Sequence, residues 1–410
     1  MKFGDLNLDP GLFEGIQTMG FDIATPVQEK TIPVILEGKD IIASAQTGTG
    51  KTAAYLIPVI QKIIDNPGDK GVKALVIVPT RELAIQIDQH MEALSYFTNV
   101  SSIAVYGGTD GVLYSKEKNV MSGGIDIVIA TPGRVITHLN MGNVNMKSLK
   151  YFILDEADRM LDMGFYTDIM KIISFLPEKR QNLLFSATMP PKIKELARKV
   201  LNAPEEINIA VARPVDKVLQ VAYVLFEKQK LSLLKYIIKS KHLRSTLIFC
   251  STKIKAKQMA GDLKNAGFSV EDIHSDLDQK TREKVLKSFR AKTLGILVAT
   301  DILSRGIDIE DIDLVVNYDV PNDGEDYIHR IGRTARAESD GVAITFVSQD
   351  EQNRFASIEK LLGEPVFKAR LPDHIGESPE YNPGRYMKGG NKRRSSRKQS
   401  FRNKGRRKMR

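Results

Sequence analysis

A glycine-rich segment between a predicted strand and a predicted helix carries residue types that bind phosphate groups. Residues 40–45 are apolar and strand-like, 46–52 read QTGTGKT, and 53–64 have helical periodicity. Glycines let successive backbone amides point at one anion, and the following helix adds its positive N-terminal end. Lys51 can reach the β- and γ-phosphates of a nucleoside triphosphate, and the Thr52 hydroxyl can bind Mg²⁺. The predicted phosphate-binding residues are Thr47, Gly48, Thr49, Gly50, Lys51 and Thr52.

The same glycines also satisfy a loose dinucleotide-binding pattern, through Gly48, Gly50 and Ala53. That pattern requires an acidic residue about 20 positions further on, at the end of the next strand, to bind the ribose. The next predicted strand ends in Pro-Thr-Arg at 79–81, which contains no carboxylate. Lys-Thr after the last glycine therefore favours the triphosphate. Ala45 stands where the general phosphate-loop pattern has its first glycine.

Two acidic residues follow a buried strand about 100 residues after this loop. The strand at 151–154 is predicted to deliver Asp155 and Glu156 to its carboxyl end, where ligands bind in open α/β sheets. An aspartate there can hold the Mg²⁺ that bridges the phosphates, and a neighbouring glutamate can orient or deprotonate the attacking water. The alternative is that the two acids only cap the helix predicted to begin near Arg159.

Apolar segments alternate with helical stretches, such as 81–94 and 192–201, which predicts βαβ units and parallel sheets. The predicted strands of the first half lie at 40–45, 74–78, 103–106, 125–130, 151–154 and 182–185. Those of the second half lie at 246–250, 270–273, 295–299, 314–317 and 342–347. The segment 202–216 holds two prolines and has little helical period. The sequence thus predicts two α/β domains, at 1–208 and 217–370, joined by a linker at 209–216.

Composition is that of an ordinary globular protein. Hydrophobic residues are 42% and charged residues 27% of the 410 residues, which excludes a fibrous or wholly disordered chain. No apolar run approaches the ~18–20 residues of a membrane-spanning helix, and the first ten residues lack a signal-peptide core. We therefore expect a cytoplasmic protein without membrane association. The single cysteine, Cys250, excludes an intramolecular disulfide and a cysteine metal cluster.

The positive charge is concentrated in the C-terminal tail. The net charge is +10, but 383–410 holds thirteen Lys or Arg and no acidic residue, so the other 382 residues carry −3. From about 371 onward the chain is rich in Pro, Gly, Asn and Ser, which predicts a disordered basic tail at 371–410. Such a tail is expected to bind nucleic acid, and the alternative is a solubilising role.

Seven short motifs occur in order along the chain. They are AQTGTGKT at 45–52, PTRELA at 79–84, TPGR at 131–134, DEAD at 155–158, SAT at 186–188, ATDILSRGID at 299–308 and HRIGRTAR at 329–336. By these motifs the chain resembles the DEAD-box family of ATP-dependent RNA helicases over about residues 1–370, and its plan is similar to that of short bacterial members with a basic tail. The resemblance implies two tandem RecA-like domains with parallel sheets, ATP and Mg²⁺ as cofactors, and single-stranded and duplex RNA as partners.

The segment GFDIATPVQ at 20–28 is similar to the adenine-reading motif of this family. By that resemblance Gln28 reads the adenine edge, and Phe3, seventeen positions before Gly20, stacks on the base. The family usually has proline where this chain has Ala24, which should loosen the turn slightly. The alternative is that Phe3 is a packed N-terminal residue and Gln28 an ordinary helix residue.

The resemblance also carries roles over to the acidic motif. Asp155 and Glu156 keep the roles argued above, and Lys51 keeps its phosphate contact. Asp158 is expected to pair with Ser186 and Thr188, and so to link the nucleotide site to domain movement.

In the second half, the resemblance implies that Asp308 approaches the ribose and that Arg333 and Arg336 act as arginine fingers on the γ-phosphate. A developing phosphoryl charge requires a planar donor that is always charged. Because these residues lie beyond the linker, hydrolysis should require domain closure. The family normally has glycine where this chain has Ala335, which affects fine geometry, and alanine is common at Ser304.

The resemblance further implies an RNA-binding face made of short polar residues and arginines. Backbone amides and hydroxyls suit contacts to phosphate and 2′-OH, so RNA binding should be largely independent of sequence. The alternative for each single residue is a solvated surface position. The tail should add an RNA tether through Arg393, Arg394, Arg406 and Arg407, with Tyr386 and Phe401 able to stack on bases. The expected RNA face consists of Pro79, Thr80, Arg81, Gly107, Gly108, Thr131, Arg134, Gln279, Arg282 and Thr300.

The favoured function is RNA-stimulated ATP hydrolysis that locally separates short RNA duplexes, without processive translocation. An ATP-gated RNA clamp or ribonucleoprotein assembly platform with slow turnover would use nearly the same residues. A DNA motor of the same superfamily is disfavoured by the DEAD sequence and by the segment that contains Gln28.

Overall fold

The computed structural model contains two compact units, one on each side of the predicted linker. The first unit is formed by the described residues up to 209, and the second by those from 218 to 384. Within the part of the chain that is described, no helix is long and apolar enough to cross a membrane. The structure describes residues 1–45, 48–108, 111–209, 218–240, 243–274, 276–300, 312–322, 324–334 and 341–384.

The first unit is a parallel sheet with a helical layer on each face. Its strands are β1 (Ile41–Ser44), β2 (Ala74–Ile77), β3 (Ser102–Val105), β4 (Ile127–Ala130), β5 (Tyr151–Leu154), β6 (Gln181–Ser186) and β7 (Glu205–Asn208). Its helices are α1 (Pro10–Thr18), α2 (Pro26–Leu36), α3 (Lys51–Asp65), α4 (Arg81–Ser95), α5 (Gly111–Gly123), α6 (Pro132–Asn140), α7 (Ala157–Asp162), α8 (Tyr166–Ile173) and α9 (Pro191–Val200). The strand order is β3-β4-β2-β5-β6-β1-β7.

The second unit repeats this arrangement. Its strands are β8 (Val218–Val224), β9 (Thr246–Cys250), β10 (Val270–Ile273), β11 (Ile296–Thr300), β12 (Leu314–Asn317), β13 (Gly341–Val347) and β14 (Phe367–Lys368). Its helices are α10 (Lys230–Ser240), α11 (Lys253–Asn265), α12 (Gln279–Arg290), α13 (Gly324–Ile331) and α14 (Gln352–Leu362). The strand order is β10-β11-β9-β12-β13-β8-β14, which is the order of the first sheet when each unit is counted from its own first strand.

Strand β4 shows why these apolar segments form central strands. Ile127 and Ile129 point into one hydrophobic core, whereas Val128 and Ala130 point into the core on the opposite face. All four residues are fully buried. Successive side chains of a strand alternate between faces, so a strand covered by helices on both sides must be apolar throughout.

The sequence predicted the class and most of the strands. The two-domain parallel α/β fold is confirmed, and each of the eleven predicted strands is present with ends within two residues. Three strands were missed, namely β7, β8 and β14. Strand β7 lies in the segment 202–216, whose two prolines and lack of periodicity gave no sign of a strand. It pairs with β1 at the sheet edge and has three exposed residues out of four. Its polar composition therefore lacks the apolar signal of a buried strand.

The chain after β14 is held against the second unit by a segment that we call the C-terminal strap, residues 373–382. The side-chain amide of Gln229 donates to two strap carbonyls at 3.0 Å. Gln352 donates to one strap carbonyl at 2.9 Å and accepts from a strap amide at 2.7 Å, and the Tyr381 hydroxyl donates to Glu359 at 2.6 Å. The predicted disorder from 371 onward is therefore wrong for 371–384. The polar composition of this segment gave no sign of its ordered structure, because its hydrogen bonds are made mainly by backbone groups.

Two truncations separate the strap from the basic tail. Deletion of 385–410 should leave the unfolding free energy of the second unit unchanged. Deletion of 371–410 should lower it by about 2–4 kcal/mol, because it removes several hydrogen bonds and the packed Tyr381 ring. Urea denaturation followed by circular dichroism measures both. Equal urea midpoints for the two truncated proteins would show that the strap does not stabilise the unit.

Candidate functional site

The glycine-rich loop joins β1 to the first residue of α3. Gly48 and Gly50 have φ of 83° and 87°, in the left-handed region that favours glycine. A Cβ on Gly50 would lie 2.5 Å from Nε2 of Gln28 and 3.3 Å from Oγ1 of Thr25. Helix α2 therefore approaches the loop so closely that only glycine fits at this position. Thr47 lies outside the described residues, and its role stays a prediction.

Gln28 fastens α2 to this loop. It is 3% exposed. Its Oε1 accepts from the backbone amide of Thr25 at 2.8 Å, and its Nε2 donates to the carbonyl of Gly50 at 3.1 Å. The Thr25 hydroxyl donates to the carbonyl of Thr49 at 2.8 Å. The residue predicted to read adenine is thus in direct contact with the predicted phosphate loop, and its amide is bonded to backbone groups in this conformation.

Phe3 is packed in this conformation, and a backbone bond accounts for Ala24. Phe3 is 1% exposed, and its ring stacks with that of Phe21 with centroids 6.4 Å apart. This burial agrees with the alternative of a packed N-terminal residue, and stacking of Phe3 on adenine stays a prediction. Ala24 donates its backbone amide to the carbonyl of Met1 at 3.0 Å. Proline has no backbone N–H and could not donate this bond, so alanine at this position adds a hydrogen bond to the N-terminal residue.

Lys51 is the first residue of α3 and is 6% exposed. Its Nζ donates to the carbonyl of Ala45 at 2.7 Å, across the loop. A buried ammonium at the positive end of a helix favours an anion at this place. The lysine, the loop and the helix therefore form one positively charged cradle.

Asp155 follows β5 directly and is 3% exposed. Its Oδ1 accepts from the backbone amide of Glu156 at 2.9 Å, and its Oδ2 accepts from the Tyr55 hydroxyl at 3.0 Å. Burial raises the pKa of Asp155 to about 6, although the ammonium of Lys51 opposes the rise and the carboxylate of Glu156 adds to it. Sequence reasoning missed Tyr55. The available signal was its position four residues after Lys51, on the same face of α3.

Glu156 occupies a strained turn between β5 and α7. Its φ of 50° and ψ of 48° lie in the left-handed region, which is uncommon for a residue with a side chain. Its carboxylate forms an ion pair with Nη1 of Arg159 at 3.0 Å. Its side chain makes no capping bond to α7, which begins at Ala157. The structure therefore does not support the alternative that the two acids only cap this helix.

Asp158 connects α7 to the segment after β6. One carboxylate oxygen accepts from the backbone amides of Ala187 and Thr188 at 3.0 and 2.9 Å, and from the Thr188 hydroxyl at 3.0 Å. The Ser186 hydroxyl accepts from the Asp158 amide at 3.3 Å and donates to the Thr188 carbonyl at 2.7 Å. The predicted pairing of these residues is thus present, while its role in domain movement stays a prediction.

The residues expected to bind RNA in the first unit follow β2, β3 and β4. These three strands are neighbours in the order β3-β4-β2, so the residues share one half of the carboxyl edge. The guanidinium of Arg81 lies over the Tyr106 ring at 4.5 Å, and Thr80 caps α4. The residues brought together on this half are Pro79, Thr80, Arg81, Gly107, Gly108, Thr131 and Arg134.

Arg134 is held by a neighbour that sequence reasoning did not find. Its Nε donates to Glu117 at 2.8 Å, its guanidinium lies over the Tyr114 ring at 4.8 Å, and its side chain is 14% exposed. The same Glu117 oxygen also bonds Nε2 of the buried His138 at 2.8 Å. Glu117 lies on α5, and no motif in the sequence marks it.

In the second unit, the predicted RNA residues lie at the corresponding half of the sheet. Thr300 ends β11, and Gln279 begins α12, which follows β10. Arg282 donates to the carbonyl of Leu277 at 3.5 Å. Arg333 lies just after α13 and is 8% exposed. Asp308 and Arg336, like Ser304 and Ala335, lie outside the described residues.

The second unit has a lysine at the position that corresponds to Lys51, but this lysine has different contacts. Lys230 is the first residue of α10, the helix that follows the first strand of its sheet. Its Nζ contacts Glu227 and Glu351 at 2.9 Å and Asp319 at 3.4 Å. Lys51, in contrast, donates to a backbone carbonyl. A lysine neutralised by three carboxylates offers no net charge to a phosphate, so the cradle is a property of the first unit.

The donor set of the first unit fits a nucleoside triphosphate with Mg²⁺. Lys51 and the start of α3 supply positive potential, and Thr52 and Asp155 supply the oxygen ligands that Mg²⁺ prefers. Among the described residues, no group of three or more His, Cys, Asp or Glu could hold a metal by itself.

Comparison with known proteins identifies relatives over most of the chain. The family described as DEAD/DEAH box helicase matches residues 25–196, and the helicase conserved C-terminal domain matches residues 229–338. The ATP-dependent RNA helicase CshA of Listeria monocytogenes is 41% identical over 88% of this chain and 68% of its own length. A probable ATP-dependent RNA helicase of Methanocaldococcus jannaschii is 40% identical over 90% of this chain and 98% of its own length.

Solved structures give the same result for the fold. Saccharomyces cerevisiae Dbp5 bound to RNA and ADP BeF3 is 32% identical, with a TM-score of 0.81 over 90% of this chain and 95% of that chain. Mss116p bound to ssRNA and AMP-PNP is 31% identical, with a TM-score of 0.81 over 92% of this chain and 81% of that chain. The predicted tandem RecA-like architecture is thereby confirmed.

The raised pKa of Asp155 predicts a pH dependence of stability. The folded first unit holds this proton up to about pH 6, and the unfolded chain releases it near pH 4, so stability should fall as pH rises through this window. Asp155→Asn keeps the shape without the titration. Its unfolding free energy relative to the natural protein should therefore rise by about 2–3 kcal/mol between pH 4.5 and 7.5. Urea denaturation without Mg²⁺ and nucleotide measures this, and parallel pH profiles would contradict it.

Proposed function

The chain belongs to the DEAD-box family of ATP-dependent RNA helicases, and from this membership we propose how its two units divide the work. RNA-stimulated hydrolysis of ATP to ADP and phosphate is coupled to closure of the units and to local, non-processive unwinding of short RNA duplexes. The observation that carries this proposal is the set formed by the buried Lys51 and Asp155 and the partly buried Asp158 on one half of a sheet edge, whose other half carries polar residues and arginines.

ATP binds at the positively charged cradle. Lys51 and the amides of the loop contact the phosphates, and Gln28 reads the adenine edge after exchanging its bond to the loop for a bond to the base. Thr52 and Asp155 hold Mg²⁺, which when bound neutralises charge on the phosphate oxygens. Because Gln28 bonds the loop directly, adenine recognition and phosphate binding are adjusted together.

Glu156 orients the water that attacks the γ-phosphate and accepts its proton. The left-handed turn at this residue sets its side chain apart from the helix that follows, and the ion pair with Arg159 limits its rotation. Strained backbone of this kind recurs at active sites, where the neighbouring structure holds the residue in place.

The second unit completes the site. Arg333 and Arg336 donate to the γ-phosphate and Asp308 contacts the ribose, so hydrolysis requires both units to bind the same ATP. Asp158 bonds the segment after β6 through Thr188 and lies two residues from Glu156. This bond is a direct route by which movement of that segment reaches the water-orienting residue.

RNA binds along the other half of each sheet edge. Thr80, Thr131 and Thr300 offer hydroxyls, Gly107 and Gly108 offer exposed backbone, and arginines supply charge. These groups suit phosphate and 2′-OH contacts, so binding is largely independent of base sequence. The basic tail adds further electrostatic attraction, and association with ribonucleoprotein particles in the cytoplasm follows from the same affinity for RNA.

Strand displacement of a short RNA duplex tests the function. The natural protein should displace the strand with ATP and hydrolyse ATP faster with RNA than with DNA. Lys51→Ala should do neither, because it lacks the phosphate contact. Glu156→Gln should bind ATP and RNA but turn over at least about 100-fold more slowly, because the water is no longer activated.

Three outcomes would contradict parts of this proposal. ATP-dependent RNA binding without displacement would indicate a clamp, and equal stimulation by DNA would indicate a DNA motor. Turnover by Glu156→Gln at the natural rate would remove Glu156 from its role.

Truncation at 384 tests the tail as an RNA tether while leaving the strap in place. The thirteen basic residues of the tail all lie in the deleted segment. If the tail neutralises about five phosphates, the dependence of log affinity on log salt for single-stranded RNA should become shallower by about 3.5. A glycine-serine tail of equal length is the matched control. An unchanged salt dependence would show that the tail does not contact RNA.

A further inference from the structure

Tyr55 is a buried tyrosine in the second turn of α3 that none of the sequence motifs singles out. It is 0% exposed, and its ring packs against Phe185 on β6 with centroids 5.2 Å apart. A phenylalanine would fill this space equally well. The hydroxyl is therefore the feature to explain, since burying a hydroxyl costs free energy unless it is hydrogen-bonded.

The hydroxyl bonds the carboxylate that follows β5. It donates to Oδ2 of Asp155 at 3.0 Å, while Oδ1 of Asp155 accepts from the backbone amide of Glu156 at 2.9 Å. Each carboxylate oxygen therefore has one fixed partner. Two bonds to the two oxygens set the plane of the carboxylate, which a single bond would leave able to rotate.

Through this bond Tyr55 ties helix α3 to the residue at the end of β5, two elements separated by about 100 positions in the chain. Asp155, the residue that it bonds, is one of the two proposed to supply oxygens to Mg²⁺.

We infer that Tyr55 is a positioning residue of the nucleotide site, whose hydroxyl fixes the Asp155 carboxylate in the orientation in which it can hold Mg²⁺. This inference rests on the proposed function. Groups that orient metal ligands without touching the metal change metal affinity when they are removed. Tyr55 acts on the affinity for Mg²⁺ through Asp155 and does not itself touch the phosphates.

Tyr55→Phe tests the inference because it removes the hydroxyl and keeps the ring. The measurement is binding of a fluorescent ADP to the full-length protein during titration with Mg²⁺. We expect the variant to need about tenfold more Mg²⁺ for half of the increase in affinity. Its affinity for ADP in EDTA should equal that of the natural protein, since the cradle around Lys51 is unchanged.

Tyr327→Phe is the matched control. Tyr327 is an equally buried tyrosine in the second unit, and its hydroxyl donates to Gln220 at 2.9 Å. Its loss should leave the Mg²⁺ titration unchanged, whatever it does to the melting temperature. Adding Tyr55→Phe to Asp155→Asn should change the Mg²⁺ dependence no further, because the carboxylate through which the hydroxyl acts is gone.

The outcomes separate the inference from the function beneath it. A Mg²⁺ titration of Tyr55→Phe that overlays that of the natural protein overturns the inference, and so does an equal shift in Tyr327→Phe. A natural protein that does not bind ADP at any Mg²⁺ concentration overturns the proposed function together with this inference.

Discussion

Parallel strands carry all their carboxyl ends to one edge of a sheet, and this constraint assembles the site of the first unit. The loop after β1, the acids after β5 and the segment after β6 come from distant parts of the sequence but from three adjacent strands. Their meeting makes possible the bond from Tyr55 to Asp155 and the bonds from Asp158 to Thr188. The strand order thus brings the residues of the site together.

The polar groups of this site form hydrogen bonds with one another. Lys51 donates to the loop carbonyl of Ala45, and Gln28 donates to that of Gly50. Because buried polar groups without partners are costly, such bonds keep the site folded before a ligand arrives. On the proposed function, ATP exchanges these bonds for its own, so Lys51 and Gln28 change partners when it binds. The bonds that are given up reduce the free energy gained on binding.

The sequence was sufficient where the structural cause is local or strongly apolar. Strands such as β4 were predictable because burial on both faces requires an uninterrupted apolar run. The loop and the acids were predictable because their chemistry requires particular residue types at fixed spacing. Strand β7 escaped because an edge strand needs few apolar residues, and the strap escaped because its bonds are made mainly by backbone groups. Tyr55 and Glu117 were missed because contacts between distant segments leave no pattern in the sequence.

Two lysines stand at matching helix starts in units of the same strand order, yet their surroundings differ. In the second unit, Glu227, Asp319 and Glu351 surround Lys230. The hydrogen bonds of Lys255 and Ser251, against the effect of burial, hold the pKa of Asp319 at about 2, so this carboxylate stays charged at neutral pH. The second unit therefore supplies the counterions of its helix-start lysine from its own chain. The same fold position that offers an ammonium to a phosphate in one unit serves as an internal ion-pair cluster in the other.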